Sequence, residues 1–172
     1  MWTAVKRYGL SPAFKFLKFY CTFQVFTEYI GGPRQVGGPS MLPTFSASTE
    51  WIVEDAISVK LLNRPISRGD LIILSSPREP KQEICKRVLG LPGDTICVDP
   101  TGESSPDIPT TEHCIVPPGH IWIIGDNASN SRDSRLYGPV PIGLVKSRVV
   151  LRFYPWNKFT IFRNPTTVLG EI

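Results

Sequence analysis

From residue 50 to residue 154 the chain is cut into short apolar runs by turn residues, and this spacing constrains the fold most. The runs are WIVE (51–54), DLIILS (70–75), EICKRVLG (83–90), DTICV (94–98), HIWIIG (120–125) and SRVVLRFY (147–154). RGD, LPGD, PPG and GDN stand at their edges. Runs of this length bounded by Gly, Pro, Asn and Asp read as β-strands. No helix-length segment alternates with them, which argues against a doubly wound parallel sheet. The 17 prolines among 172 residues fit many short strands better than long helices. The expectation is one mostly β domain of short, mainly antiparallel strands.

Residues 10–30, LSPAFKFLKFYCTFQVFTEYI, differ from this body. Phe16, Phe19, Tyr20, Phe23, Phe26 and Ile30 recur at helical spacing. Lys15, Lys18 and Glu28 interrupt the run, which therefore falls short of an unbroken transmembrane span. No cleavable secretory signal is evident. Three readings stand: a weak membrane anchor with snorkelling lysines, an amphipathic helix lying on a membrane, and a helix packed on the body. Membrane association is the expectation. An acid-poor, basic, amphipathic N-terminus also resembles a mitochondrial address.

The charge distribution supports this division. The net charge is +4, and residues 1–35 carry Lys6, Arg7, Lys15, Lys18 and Arg34 against Glu28, so the remainder is neutral. A nucleic-acid binder would carry its basic cluster on the folded body, so no nucleic-acid partner is expected. Cys21, Cys85, Cys97 and Cys114 form no CxxC pair, which argues against a structural zinc or thioredoxin-type site. Whether Cys85, Cys97 and Cys114 form a disulfide is left open. The chain divides into an N-terminal segment (1–35), a β domain (36–155) with a polar, Pro-rich excursion at 99–118, and an irregular tail (156–172).

One serine has an unusual setting. In GGPSMLPTF (37–45), Ser40 is surrounded by residues that break regular structure. Turn serines usually bond local backbone, and a nucleophilic serine needs a base. His113 and His120 lack an evident acidic orienter, and neither a G-x-S-x-G elbow nor an S-x-x-K motif is present. A lysine can serve if burial keeps its amine neutral. In EICKRVLG, alternation places Lys86 on one strand face with Ile84 and Val88, and Cys85 and Arg87 on the other. Lys81, in REPKQE, reads as solvated. An edge lysine snorkelling to solvent is the alternative for Lys86. The polar loop GDNASNSRDSRLYGPVP (125–141) offers Ser131, Asp133 and Arg135 as a fixed polar cluster, or as an ordinary hydrogen-bonded turn. Its Asn127-Ala128-Ser129 matches a glycosylation sequon, read here as accidental.

GPSMLPT, RGDLIIL, KRVLGLPGD and GDNASNSRDSRLYGPVP, in this order, resemble the successive motifs of type I signal peptidases. The short length, small excursion and single weak anchor resemble the mitochondrial inner membrane branch, and the last motif the first of that branch's two catalytic subunits. The resemblance implies a signal peptidase-like β fold with an N-terminal membrane-associated helix. It implies a serine endopeptidase with Ser40 as nucleophile and Lys86 as general base. Ser131 matches the serine that orients the lysine, Asp133 and Arg135 match bracing residues, and Met41 matches the residue packed against the dyad.

No metal or cofactor is implied. The implied partners are precursor proteins with sorting presequences, membrane lipid and a second catalytic subunit. The implied location is the mitochondrial inner membrane, with the catalytic domain facing the intermembrane space. One departure is Gly38, where some bacterial relatives carry a serine that helps bind the oxyanion. Pro39 has no N–H, so the Ser40 N–H is the remaining candidate on this turn, and whether a water or another group replaces the side-chain donor is left open. A LexA-type self-cleaving Ser-Lys protein and a non-catalytic β-module of a membrane complex are the alternative readings.

Overall fold

A computed structural model describes residues 11–98 and 112–162. Residues 1–10, the first part of the predicted excursion (99–111) and the tail from 163 onward lie outside the described residues.

Helix α1 spans Pro12–Tyr29. Ser11 caps it, its side chain accepting the Phe14 N–H, and Pro12 occupies the first turn, where a missing N–H costs nothing. Phe16, Leu17, Phe19, Tyr20, Phe23, Val25 and Phe26 all stand exposed. Among the described residues no helix is long and apolar enough to cross a membrane, as the interrupting lysines predict. Beyond the helix, the Ile30 carbonyl accepts the N–H groups of Ala56 and Ile57 at 3.1 and 3.3 Å, tying α1 to the body.

The body is a mostly β structure in which every strand pair is antiparallel. The strands are β1 (Pro33–Val36), β2 (Glu50–Asp55), β3 (Leu71–Ser75), β4 (Glu83–Gly90), β5 (Thr95–Cys97), β6 (His113–Ile115), β7 (His120–Ile124), β8 (Val140–Pro141), β9 (Val145–Tyr154) and β10 (Thr160–Ile161). An eight-stranded sheet runs β1-β2-β9-β3-β4-β7-β8, with β10 beside β9, and β5 pairs with β6 separately. All six predicted runs are strands. The structure adds short strands, among them β1 before the expected start of the domain and β6 inside the expected excursion.

Strand β3 explains why its run reads as continuously apolar. Ile72 and Leu74 enter one core cluster with Val88, Ile121, Ile123, Val140 and Val145. Leu71 and Ile73 enter another with Met41, Phe45, Ile52 and Val149. Both faces are covered, so no polar alternation is left. Two short helices complete the body, α2 (Ile57–Lys60) and α3 (Ser134–Tyr137).

Candidate active site

Strand β4 carries Lys86 and sets its environment. Its alternation holds as predicted: Ile84 and Val88 belong to one core cluster, and Cys85 packs against the other. Lys86 is only 3 % exposed. Burial disfavours the charged form and pulls the ammonium below the ordinary lysine value, outweighing the opposing pull of the Asp133 carboxylate. The Lys86 Nζ donates to Ser131 Oγ at 2.9 Å. The snorkelling alternative therefore does not apply.

Ser131 lies in the loop after β7, and that loop is held by a buried ion pair. Asp133 caps α3 and accepts from the Arg135 Nε and Nη2, both at 2.9 Å, and from the Gly125 N–H at 2.9 Å. Burial alone would raise the Asp133 carboxyl; the bonds from Arg135 and Gly125 outweigh it and hold the group below the usual carboxylate range. Arg135 also donates to the Ala128 carbonyl at 2.8 Å. The cluster read from the sequence is thus a bracing device for the segment from Gly125 to Arg135.

Ser40 occupies a 3-10 turn, Pro39–Met41, between β1 and β2. Met41 is buried beneath it beside Phe45 and Ile73. The turn is fastened to the Ser131 loop. Asn127 donates its backbone N–H to the Ser40 carbonyl at 3.1 Å and its side-chain amide to the Pro39 carbonyl at 3.0 Å. Thr44, just past the turn, donates to Asp126, which also takes a two-pronged bond from Arg87 at 2.7 Å per prong. Among the described residues no hydrogen bond joins the Ser40 hydroxyl to Lys86; catalytic contacts often tighten only with a ligand in place.

Gly125 explains how the pieces come so close. A Cβ at this position would overlap both the Ser131 hydroxyl and the Ser40 carbonyl oxygen. The Ser40 turn and the Ser131 loop therefore press on the same glycine, and Ser131 in turn receives Lys86. Sequence reasoning recognises Gly125 only as a turn signal and Asn127 only as part of a sequon. Their position at the end of an apolar strand, opening a polar loop, is the one trace they leave.

Beside Ser40 lies a groove of about 290 Å³, lined by Arg34, Val36, Ser40, Met41, Ile84 and Cys85, among others. Burial pushes the Cys85 thiol up to about 12. Cys21, Cys85 and Cys114 are free thiols. Among the described residues no cluster of His, Cys, Asp and Glu is arranged to hold a metal. The arrangement offers a serine on a turn fastened by hydrogen bonds, a desolvated amine and a groove beside the serine.

Residues 13–103 and 100–154 match the family described as signal peptidase, peptidase S26. The mitochondrial inner membrane protease subunit 1 of Schizosaccharomyces pombe is 41% identical over 128 residues, covering 74% of this chain and 76% of that protein. The human protein of the same description is 40% identical over 150 residues, covering 86% and 84%. Among solved structures, a signal peptidase I from Enterococcus faecalis aligns at 24% identity with a TM-score of 0.38, covering 49% of this chain and 97% of that one. With the family match spanning most of the chain and relatives at this identity, the chain belongs to the S26 signal peptidase family.

Proposed function

We propose that this serine endopeptidase works with Ser40 as nucleophile and Lys86 as general base, removing N-terminal sorting segments from membrane-tethered precursor proteins. The observation that carries this reading is the buried Lys86 amine, lowered by desolvation and held by Ser131. Desolvation makes the neutral, proton-accepting form of this amine easier to reach than in a solvated lysine.

Neutral Lys86 takes the hydroxyl proton as Ser40 Oγ bonds to the scissile carbonyl carbon. The negative charge moves to the carbonyl oxygen, which the Ser40 N–H stabilises. Protonated Lys86 then gives its proton to the leaving amine as the C–N bond breaks. In the second half a water attacks the ester, Lys86 takes the water's proton, and that proton returns to Ser40 Oγ as the acyl group leaves. Ser131 orients the amine, while Asp133 and Arg135 hold Ser131 in place. Met41 supports the turn from below. Among the described residues β1 ends the sheet with one edge unpaired, which suits an extended substrate lying in the groove beside Ser40.

The relatives are described as subunits of a mitochondrial inner membrane protease. On that basis we assign the chain to that membrane, with residues 1–35 as the membrane-associated segment and residues 36–155 facing the intermembrane space. A second catalytic subunit is its expected partner, and the exposed aromatic side chains of α1 suit contact with lipid.

The test is cleavage of a membrane-tethered precursor by wild type, Ser40→Ala and Lys86→Met, with the partner subunit supplied if the chain alone is silent. Both variants should fold and fail to cut. Cleavage at the wild-type rate by Lys86→Met would remove Lys86 as the base.

A further inference from the structure

The geometry points to Asn127 as a positioning residue that aims the Ser40 N–H at the oxyanion formed during cleavage. This rests on the reading of Ser40 as nucleophile given above. The need for such a residue is built into the turn. Gly38 has φ 117° and ψ 159°, a region that essentially glycine alone adopts. No oxyanion-binding side chain can stand there without strain. Pro39 lacks an N–H. The donor that the turn can offer is the Ser40 N–H.

That donor shares a peptide unit with the Pro39 carbonyl. In a trans peptide the C=O and the following N–H are coplanar and point in opposite directions, so gripping one aims the other. The Pro39 carbonyl is gripped twice, by the Asn127 side-chain amide at 3.0 Å and by the Leu42 N–H at 3.3 Å. The next peptide unit is held as well, because the Asn127 backbone N–H donates to the Ser40 carbonyl at 3.1 Å. The Ser40 N–H therefore points away from Asn127 and cannot swing without breaking these bonds.

The amide end of Asn127 is itself set. The Ser129 hydroxyl donates to Asn127 Oδ1 at 3.1 Å, which leaves the NH2 group for Pro39. A hydrogen bond accepted by a carbonyl also polarises its peptide unit and strengthens the N–H on the far side. Asn127 thus contributes orientation and donor strength together. It touches neither substrate nor the reacting atoms.

The experiment uses the full chain, with its partner subunit if activity requires it, and a precursor-derived peptide. Asn127→Ala and the near-isosteric Asn127→Leu both remove the side-chain donor. Each should lower kcat by about 10- to 100-fold, less than or comparable to the ~10²–10³ lost when an oxyanion donor is deleted outright. KM and the acid limb of the pH profile should stay where wild type has them, since Lys86 and Ser131 are untouched. Affinity for a substrate-derived peptide aldehyde, whose adduct places an oxygen in the same position, should fall in step with kcat. Affinity for an uncleavable peptide should not change.

Ser129→Ala should give a smaller loss that disappears in the Asn127→Ala background. Wild-type kcat in both Asn127 variants overturns the proposal. So does a loss shared equally by the aldehyde and the uncleavable peptide, which would mark a merely structural role. These affinities do not depend on the fraction of protein folded. If Ser40→Ala still cleaves, the nucleophile reading fails; if it is dead while the Asn127 variants match wild type, the positioning role alone fails.

Discussion

Lys86 Nζ donates to Ser131 Oγ at 2.9 Å although the two residues lie 45 positions apart, and both side chains are buried. Desolvation keeps the amine below the ordinary lysine value of 10.5. The proposed mechanism needs that amine neutral, so kcat/KM should rise with pH along an acid limb whose midpoint lies below 10.5. A pH profile with its midpoint at or above the ordinary lysine value would show that burial does not activate Lys86. Ser131→Ala should lower kcat by about tenfold, the size expected from one hydrogen bond of roughly 1–1.5 kcal/mol, and should also move that limb.

The same desolvation has a cost in stability. The folded-state value lies below the unfolded one, so the unfolded chain binds more protons between the two. The penalty is complete below the folded value and vanishes above the unfolded one. Lys86→Met should therefore melt higher than wild type at neutral pH. The gap should close as pH approaches 10.5. Thermal unfolding of both proteins across pH measures it, and a gap that does not change with pH would contradict the argument.

Gly125→Ala tests the close approach of the two loops. The added methyl would displace the Ser131 hydroxyl and the Ser40 carbonyl together. A misplacement of about 1 Å can cost roughly 10²-fold in rate, and a loss of at least that size is expected. Steady-state kinetics with a folded variant check it; near-wild-type activity would mean the loops have room to spare.

The Asp133–Arg135 pair is a matter of folding as much as catalysis. Arg135 is 8 % exposed, and Asp133→Asn would strand its charge while weakening the bond to the Gly125 N–H. Breaking a buried pair from one side costs about 3–5 kcal/mol. Because the carboxyl is held below its usual value, the wild-type contribution is present above that value and lost as pH falls through the folded one. Urea unfolding should show the deficit at neutral pH and its disappearance in acid.

Cys85 borders the groove yet should be chemically quiet. Burial pushes its thiol up to about 12, so almost none is thiolate at neutral pH. Iodoacetamide should label the exposed Cys21 well before Cys85, as read by mass spectrometry of the modified peptides. Fast labelling of Cys85 would show that the groove opens to solvent more than its packing implies.

Much of the fold is legible because strand patterning is local. EICKRVLG places Ile84 and Val88 on one face and Cys85 on the other, and the core clusters divide them in that way. The short strands β1, β6, β8 and β10 leave weaker traces. PRQV has a proline and two polar residues in four positions, and its strand character comes from pairing with β2. β6 likewise becomes a strand by meeting β5, inside a stretch whose composition reads as loop.

The candidate site divides along the same line. Local pattern suffices to put Lys86 on an apolar strand face, Ser40 on a turn and Ser131, Asp133 and Arg135 in one polar segment. Each of these follows from neighbours a few positions away. Long-range packing brings Ser131 to Lys86, lets two loops meet at Gly125 and sets Asn127 on a carbonyl 88 positions away. A side chain bonding a distant main-chain oxygen imposes no period on the sequence, because any residue can supply that oxygen.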